Sequence, residues 1–374
     1  MSRSELAETR RWVVKIGSSL LTNDGKGLNH PAIAAWVAQL SELHCQGLEL
    51  ILVSSGAVAA GMERLGWQTR PRALAELQAA ASIGQAALVQ VYQGYLQTGG
   101  MIGAQVLLTH EDLRDRQRYL SARATLRTLL EMGTLPIINE NDAVASAELR
   151  FGDNDTLAAM VSNLLEADLL IILTDQAGLY EADPRQHPEA RLLHEVRAGD
   201  PQLLAMAGGA GSKVGTGGMR SKVMAASRAA RSGTATIVAS GHEADVLLRL
   251  YRGALLGTRF QPQIPRLAAR KRWFVGQLRP MGTLRLDAGA ARVLREKGSS
   301  LLPVGVTAVE GEFQCGDLVS CLDPEGQEIA RGLINFASAE VAARLGKNSA
   351  EITELFGEQE AVELIHRDNL ALLP

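Results

Sequence analysis

The chain has 374 residues, 46% hydrophobic and 21% charged, with a formal net charge of −3. That is enough for about two to three domains of ~100–200 residues, without a global field to recruit nucleic acid or membrane. Aromatics are only 4%, and the three cysteines (Cys45, Cys315, Cys321) are scattered, which argues against a base-stacking surface and a disulfide framework.

The opening residues lack an apolar signal core, and no apolar run approaches the ~20 residues of a membrane span, so a cytoplasmic protein is expected. Trp12–Ile16 reads as a strand ending in Lys15-Ile16-Gly17-Ser18-Ser19. His30–Leu43 reads as a helix, with Asn29 as cap and Pro31 in the first turn. Leu48–Val53 is a second buried strand that runs into Ser54-Ser55-Gly56. Helices are expected over Ala57–Leu65, Pro71–Leu96 and Tyr119–Met132, and strands over Ile102–Leu108 and Leu135–Asn139. Two clusters of acids and amides follow, Ile138–Asp142 and Phe151–Thr156, around a stretch that resembles a short hairpin. Leu157–Glu166 is helical, and Leu169–Leu173 is a strongly apolar strand leading into Thr174-Asp175. Met219–Arg231 is a helix behind a glycine-rich entry, and Ala235–Ala239 a strand. Short apolar strands alternating with helices imply βαβ units around a mainly parallel sheet. Ligands of such sheets lie beyond the carboxyl ends of the strands, where the polar clusters fall.

From Arg259 to Pro280 the texture becomes linker-like and basic (Arg270-Lys271-Arg272). Strands are then expected over Thr283–Leu286, Val304–Val309, Leu318–Leu322 and Glu328–Ile334, with a helix over Ser338–Leu345 before an acidic tail. This reads as a separate small β-rich domain.

No Walker or Rossmann glycine fingerprint is present, and the seven histidines form no metal-spaced cluster. Lys15 leaves a buried strand into a Gly-Ser turn, an arrangement suited to a phosphate and equally to a snorkelling lysine. Ser54–Val58 offers hydroxyls and a helix start to an anion, or a simple cap. The two acid–amide clusters exceed what turns need. They suit the two charged ends of an amino acid, or hold catalytic lysines in place. Leu173–Tyr180 suits a nucleotide, with Tyr180 available to flank a base, or a Schellman-type turn. Gly215–Lys222 suits a phosphate or a flexible loop.

Taken in order, these stretches resemble the amino acid kinase family. The resemblance is carried by Lys15–Ser19 (KIGSS), Ser54–Gly61 (SSGAVAAG), Ile138–Ala145 (INENDAVA), Gly152–Thr156 (GDNDT), Leu173–Tyr180 (LTDQAGLY) and Gly215–Lys222 (GTGGMRSK). It continues through Lys271–Trp273, Gly298–Pro303 (GSSLLP) and His366–Asp368, nearly the whole chain. It implies a three-layer α/β/α sandwich over 1–260, a linker over 261–279, a PUA-like domain over 280–358 and a tail over 359–374. The implied reaction phosphorylates the side-chain carboxylate of L-glutamate with ATP and Mg²⁺, the first step towards proline. Lys15 and Lys222 would contact the transferring phosphoryl group, with Asp155 organising them. Ser55, Asp142 and Asn154 would bind glutamate. Lys15, Gly17, Thr174, Asp175 and Thr216, Gly217, Gly218, Met219, Arg220, Ser221 and Lys222 would hold ATP. Mg²⁺ would ride mainly on the ATP phosphates, with no protein metal site. Lys213, near that loop, reads as solvent-facing. The resemblance further implies feedback by L-proline, a homo-oligomer (dimer or tetramer) and channelling to a glutamyl-phosphate reductase. RNA binding is disfavoured, because residues 280–374 hold 8 Lys/Arg against 15 Asp/Glu, a formal −7. The alternatives are an acetylglutamate or aspartate kinase, or an RNA-binding PUA protein.

Overall fold

A computed structural model describes residues 3–22, 27–144, 154–208, 218–262, 280–297, 299–348, 351–352 and 363–373. In chain order the first elements are β1 (Arg11–Ile16), α1 (Ser18–Leu21), α2 (His30–Cys45), β2 (Glu49–Ser54), α3 (Ala57–Leu65), α4 (Leu74–Thr98) and β3 (Gly103–Leu108). Next come α5 (Arg116–Glu131), β4 (Leu135–Glu140), α6 (Asn154–Leu164), β5 (Leu169–Thr174), β6 (Glu195–Arg197) and α7 (Gln202–Met206). The unit closes with α8 (Met219–Ala230), β7 (Ala235–Ser240), α9 (Val246–Tyr251) and β8 (Thr258–Gln261). Local signals explain several boundaries. Asn29 Oδ1 accepts a hydrogen bond from Ala32 N at 3.3 Å, with Pro31 in the first turn of α2. Gly66 takes a left-handed conformation (φ 69°) that ends α3.

The eight strands are ordered β3-β4-β2-β1-β5-β7-β8-β6. Every pair is parallel except β7–β8. Register brings the exits of the central strands level: Ile16 lies opposite Ser54 on one side and Leu173 on the other, and Val53 opposite Ile138. The two faces have separate cores. Trp12, Val14 and Ile16 of β1 pack with Leu50 and Leu52 of β2 beneath α2 and α4. Val13 packs with Ile51, Val53, Leu170 and Ile172 beneath α6 and α8. Period-two alternation then decides where each exit residue goes. Lys15, in phase with Val13, faces α6 and α8. Ser54 and Asn139, in phase with Leu52 and Ile137, face α4.

The chain divides into two compact units, Met1–Ile264 and Pro265–Pro374. The second holds β9 (Gly282–Leu286), α10 (Ala288–Lys297), β10 (Val306–Gly311), β11 (Leu318–Leu322), β12 (Glu328–Leu333), α11 (Ser338–Arg344) and β13 (Leu370–Leu372). Its sheet order is β10-β9-β11-β12-β13, antiparallel except for β9–β11. Among the described residues no helix is long and apolar enough to cross a membrane.

Several expectations need correcting. α6 begins at Asn154 rather than Leu157, so Asn154 and Asp155 form its first turn. A short 3₁₀ turn, Pro303–Gly305, delays β10 to Val306. The segment read as a tail from residue 359 is part of the second unit. Leu370–Leu372 pairs with β12, Ile365 bridges to Leu301, and Leu364, Ile365 and Leu370 are buried in its core. Its apolar pairs are too short to show a strand pattern, and only non-local pairing makes them one. β6, β8, α1, α7 and α9 are unmarked in the sequence for the same reason of brevity, whereas α10, ten residues long and amphipathic, carries a pattern that the expectations above omit. The hairpin-like stretch and most of the 261–279 linker lie outside the described residues.

Candidate active site

Lys15 leaves β1 buried, and its Nζ lies 2.6 Å from Oδ1 of Asp155. Lys222, in the first turn of α8, places its Nζ 3.2 Å from Asp155 Oδ2, which also accepts a hydrogen bond from Ser221 Oγ at 2.6 Å. Gly17 permits this packing: it donates to Leu173 O at 3.1 Å, and a Cβ there would sit 3.3 Å from that oxygen and 3.8 Å from Lys15 Nζ. Burial alone would raise the pKa of Asp155. The charges of Lys15 and Lys222, with hydrogen bonds from Lys15 and Ser221, instead hold it well below the usual carboxylate range. The start of α6 adds the favourable end of a helix dipole. Two buried lysines share the one Asp155 carboxylate, an arrangement suited to an incoming anion.

A second cluster lies on the other side of Asp155. Asn154 Nδ2 donates to Ser54 O (3.0 Å), Ser55 Oγ (3.2 Å) and Asn139 Oδ1 (3.0 Å). Asn139 Nδ2 in turn donates to Gln85 Oε1 of α4 at 2.7 Å, and Ser54 Oγ lies 3.0 Å from Tyr92 OH. Two buried polar atoms of this cluster, Gln85 Nε2 and Asn154 Oδ1, have no hydrogen-bond partner among the described residues, nor do Glu140 Oε2 and Asp142 Oδ1 of the acidic pair at the end of β4. Buried polar atoms in proteins are rarely left unsatisfied, because each costs about 1–3 kcal/mol. Unpartnered buried donors and acceptors of this kind suit a polar ligand. Burial and the neighbouring Glu140 charge push the Asp142 carboxyl up to about 7, against the pull of Arg70. Glu140 is itself buried, with His110 Nδ1 3.1 Å from its Oε1.

An open cavity of about 380 Å³ lies between the exit of β5 and the start of α8. Thr174, Asp175, Tyr180, Met219 and Lys222 help to line it, with Asp183, Arg185 and Met206 from segments further along. Thr174 Oγ1 donates to Asp175 Oδ1 at 3.0 Å, and Arg185 pairs with Asp183 at 2.7 Å. Lys222 belongs to both this cavity and the ion triad.

The structure thus draws together Lys15, Asp155, Ser221 and Lys222, and separately Ser55 and Asn154, with Asp142 coupled to Glu140. Thr174, Asp175, Gly218, Met219 and Lys222 line the cavity. Arg220 does not: it is exposed on the outer side of α8's first turn. Ser221 serves Asp155 instead of the cavity wall. Thr216, Gly217 and Lys213 lie outside the described residues. Sequence reading overlooked Gln85, Tyr92, Arg70, His110, Asp183, Arg185 and Met206. The glycine beside Gln85 inside a helical pattern is the one local hint that something approaches closely there.

This construction, buried lysines at a strand exit and at a helix start beside a mainly parallel sheet, with no P-loop sequence, matches a known class. The chain belongs to the amino acid kinase family, whose model matches residues 10–240, and a PUA domain model matches residues 282–356. It is 58% identical over 372 residues to the glutamate 5-kinase of Chromohalobacter salexigens, covering 100% of this chain and 98% of that protein. The glutamate 5-kinase of Thioalkalivibrio sulfidiphilus is 57% identical over 373 residues, covering 100% and 99%. The carbamate kinase from Giardia lamblia bound to AMP-PNP shares the fold, with a TM-score of 0.50 at 17% identity over 69% of this chain and 100% of that one.

Proposed function

We propose that the chain transfers the γ-phosphoryl group of ATP to the side-chain carboxylate of L-glutamate, giving L-glutamyl 5-phosphate and ADP. The observation that carries this reading is the Lys15–Asp155–Lys222 triad, which joins the cavity to the amide cluster. Lys222 lines one, and Asn154, next to Asp155 in the chain, builds the other.

The cavity takes ATP, with Thr174, Asp175 and the α8 entry at Gly218 and Met219 around it, and Tyr180 beside the base. Ser55, Asn154 and Asp142 take glutamate, the carboxylate of Asp142 facing the substrate ammonium. A glutamate side chain ionises near pH ~4.3, so its oxygen is already a nucleophile at pH 7 and needs no general base. The obstacle is repulsion between two anions, which Lys15 and Lys222 offset as charge builds on the transferring group. Asp155 is the positioning residue that keeps both ammonium groups in place. Mg²⁺ would be held chiefly by the ATP phosphates, where it would neutralise phosphate charge, with Asp155 engaged by the two lysines.

The reading extends to a cytoplasmic homo-oligomer that is inhibited by L-proline and passes its acyl phosphate to a glutamyl-phosphate reductase. RNA is not among its partners, in keeping with the formal −7 of residues 280–374. The reaction is tested by trapping the product with hydroxylamine in the presence of Mg-ATP and glutamate, aspartate or N-acetylglutamate. Hydroxamate is expected from glutamate alone. Preference for either other acid would overturn the assignment.

A further inference from the structure

The amide ladder beside Asp155 has a polarity that can be read without ambiguity. Asn139 Oδ1 accepts from the backbone N–H of Glu140 at 2.9 Å, and a backbone nitrogen can only donate. The Asn139 oxygen is therefore fixed, and its Nδ2 must be the atom facing Gln85, 2.7 Å away. It follows that Gln85 presents Oε1 to Asn139 and holds Nε2 free as a donor. That nitrogen is buried and has no partner among the described residues. The backbone that carries Gln85 is held in place. At its neighbour Gly84, α4 meets α3 so closely that a Cβ would lie 1.9 Å from Ala57 O and 2.3 Å from Gly61 N. Orphaned acceptors, Asn154 Oδ1 in the cluster and Asp142 Oδ1 beyond the end of β4, suit an ammonium. An orphaned donor suits a carboxylate.

We infer that Gln85 is a further substrate-binding residue, whose Nε2 donates a hydrogen bond to the α-carboxylate of the amino acid substrate. The inference rests on the glutamate reading above. It assigns α4 a direct part in choosing a free α-carboxylate over its amide.

The test compares L-glutamate with its α-carboxamide analogue, in which the side-chain acceptor is unchanged, in the wild type, Gln85→Glu and Gln85→Met. In Gln85→Glu a carboxylate still accepts from Asn139 but opposes the substrate's α-carboxylate. We expect KM for glutamate to rise at least tenfold, KM for ATP to stay within twofold, and the preference for glutamate over the α-amide to fall at least tenfold. Gln85→Met keeps the length, removes the donor, and should narrow the same preference, so the question stays open to test if the charged variant fails to fold. Equal losses on glutamate and its α-amide would overturn the inference, as would an unchanged KM for glutamate in a folded variant. Failure of the wild type to phosphorylate glutamate would instead sink the function itself, which separates the two.

Discussion

Lys222 and Asp155 touch each other, yet the structure assigns different consequences to losing them. Lys222→Ala leaves Asp155 balanced by Lys15, so the fold should persist while kcat falls by roughly 10²–10³, the scale for one preorganised charge at a transition state. Asp155→Asn removes the carboxylate that both buried ammonium groups share. It should cost about 3–5 kcal/mol of stability as well as activity. Thermal unfolding and steady-state rates on both variants check the contrast, and a large stability loss in Lys222→Ala would refute it. Asp142 gives a pH signature. Its carboxyl is pushed up to about 7, so it binds a proton in the folded chain between pH ~4 and 7 that the unfolded chain releases. Its contribution to stability is therefore complete below pH ~4 and lost as pH rises through 7. The charge needed by a substrate ammonium has the opposite trend. KM for glutamate should rise about tenfold per unit below pH 7, with Asp142→Asn showing a flat profile, and a wild-type KM independent of pH would remove Asp142 from that role.

At the level of elements, the decisive contact is α3 against α4. A Cβ at Gly61 would lie 1.8 Å from Ala80 O, matching the close approach at Gly84 from the other helix. Gly84→Ala must push the two backbones apart, at a cost of about 1–3 kcal/mol or more. Because α3 follows directly on Ser55 and α4 carries Gln85, KM for glutamate should rise with the drop in Tm, and a normal KM would disconnect this packing from the site. Both helices were legible as alanine-rich periodic stretches. Their glycines were not legible as a crossing point, since the partner backbone lies some twenty residues away. α6 shows a converse limit. Asp and Asn favour turns, so residues 154–156 read as loop. The sheet below and the lysines beside them turn them into a helix start.

Across the whole molecule the two units rest on separate cores, and the second depends on its last residues. A chain ending at residue 358 would lose β13 and the burial of Leu364, Ile365 and Leu370. Each fully buried leucine or isoleucine contributes about 1.5–3 kcal/mol. Calorimetry of that truncated chain should show the second unit's unfolding moved well down in temperature, and an unchanged trace would show that the unit ends earlier than the structure says.

The sequence by itself determined the parallel α/β class and the strand exits that carry polar clusters, and its resemblance to a family pointed to Lys15, Asp155 and Lys222. Strands of apolar residues, helix periodicity and polar clusters are local patterns, and local patterns survive reading in one dimension. Only the tertiary structure decided which cations share a carboxylate, which amide faces which, and that residues 364–372 belong to a core. Those facts depend on strand parity and on contacts between residues far apart in the chain, such as Lys15 with Asp155 and Gln85 with Asn139. Their distances are fixed by packing rather than by spacing.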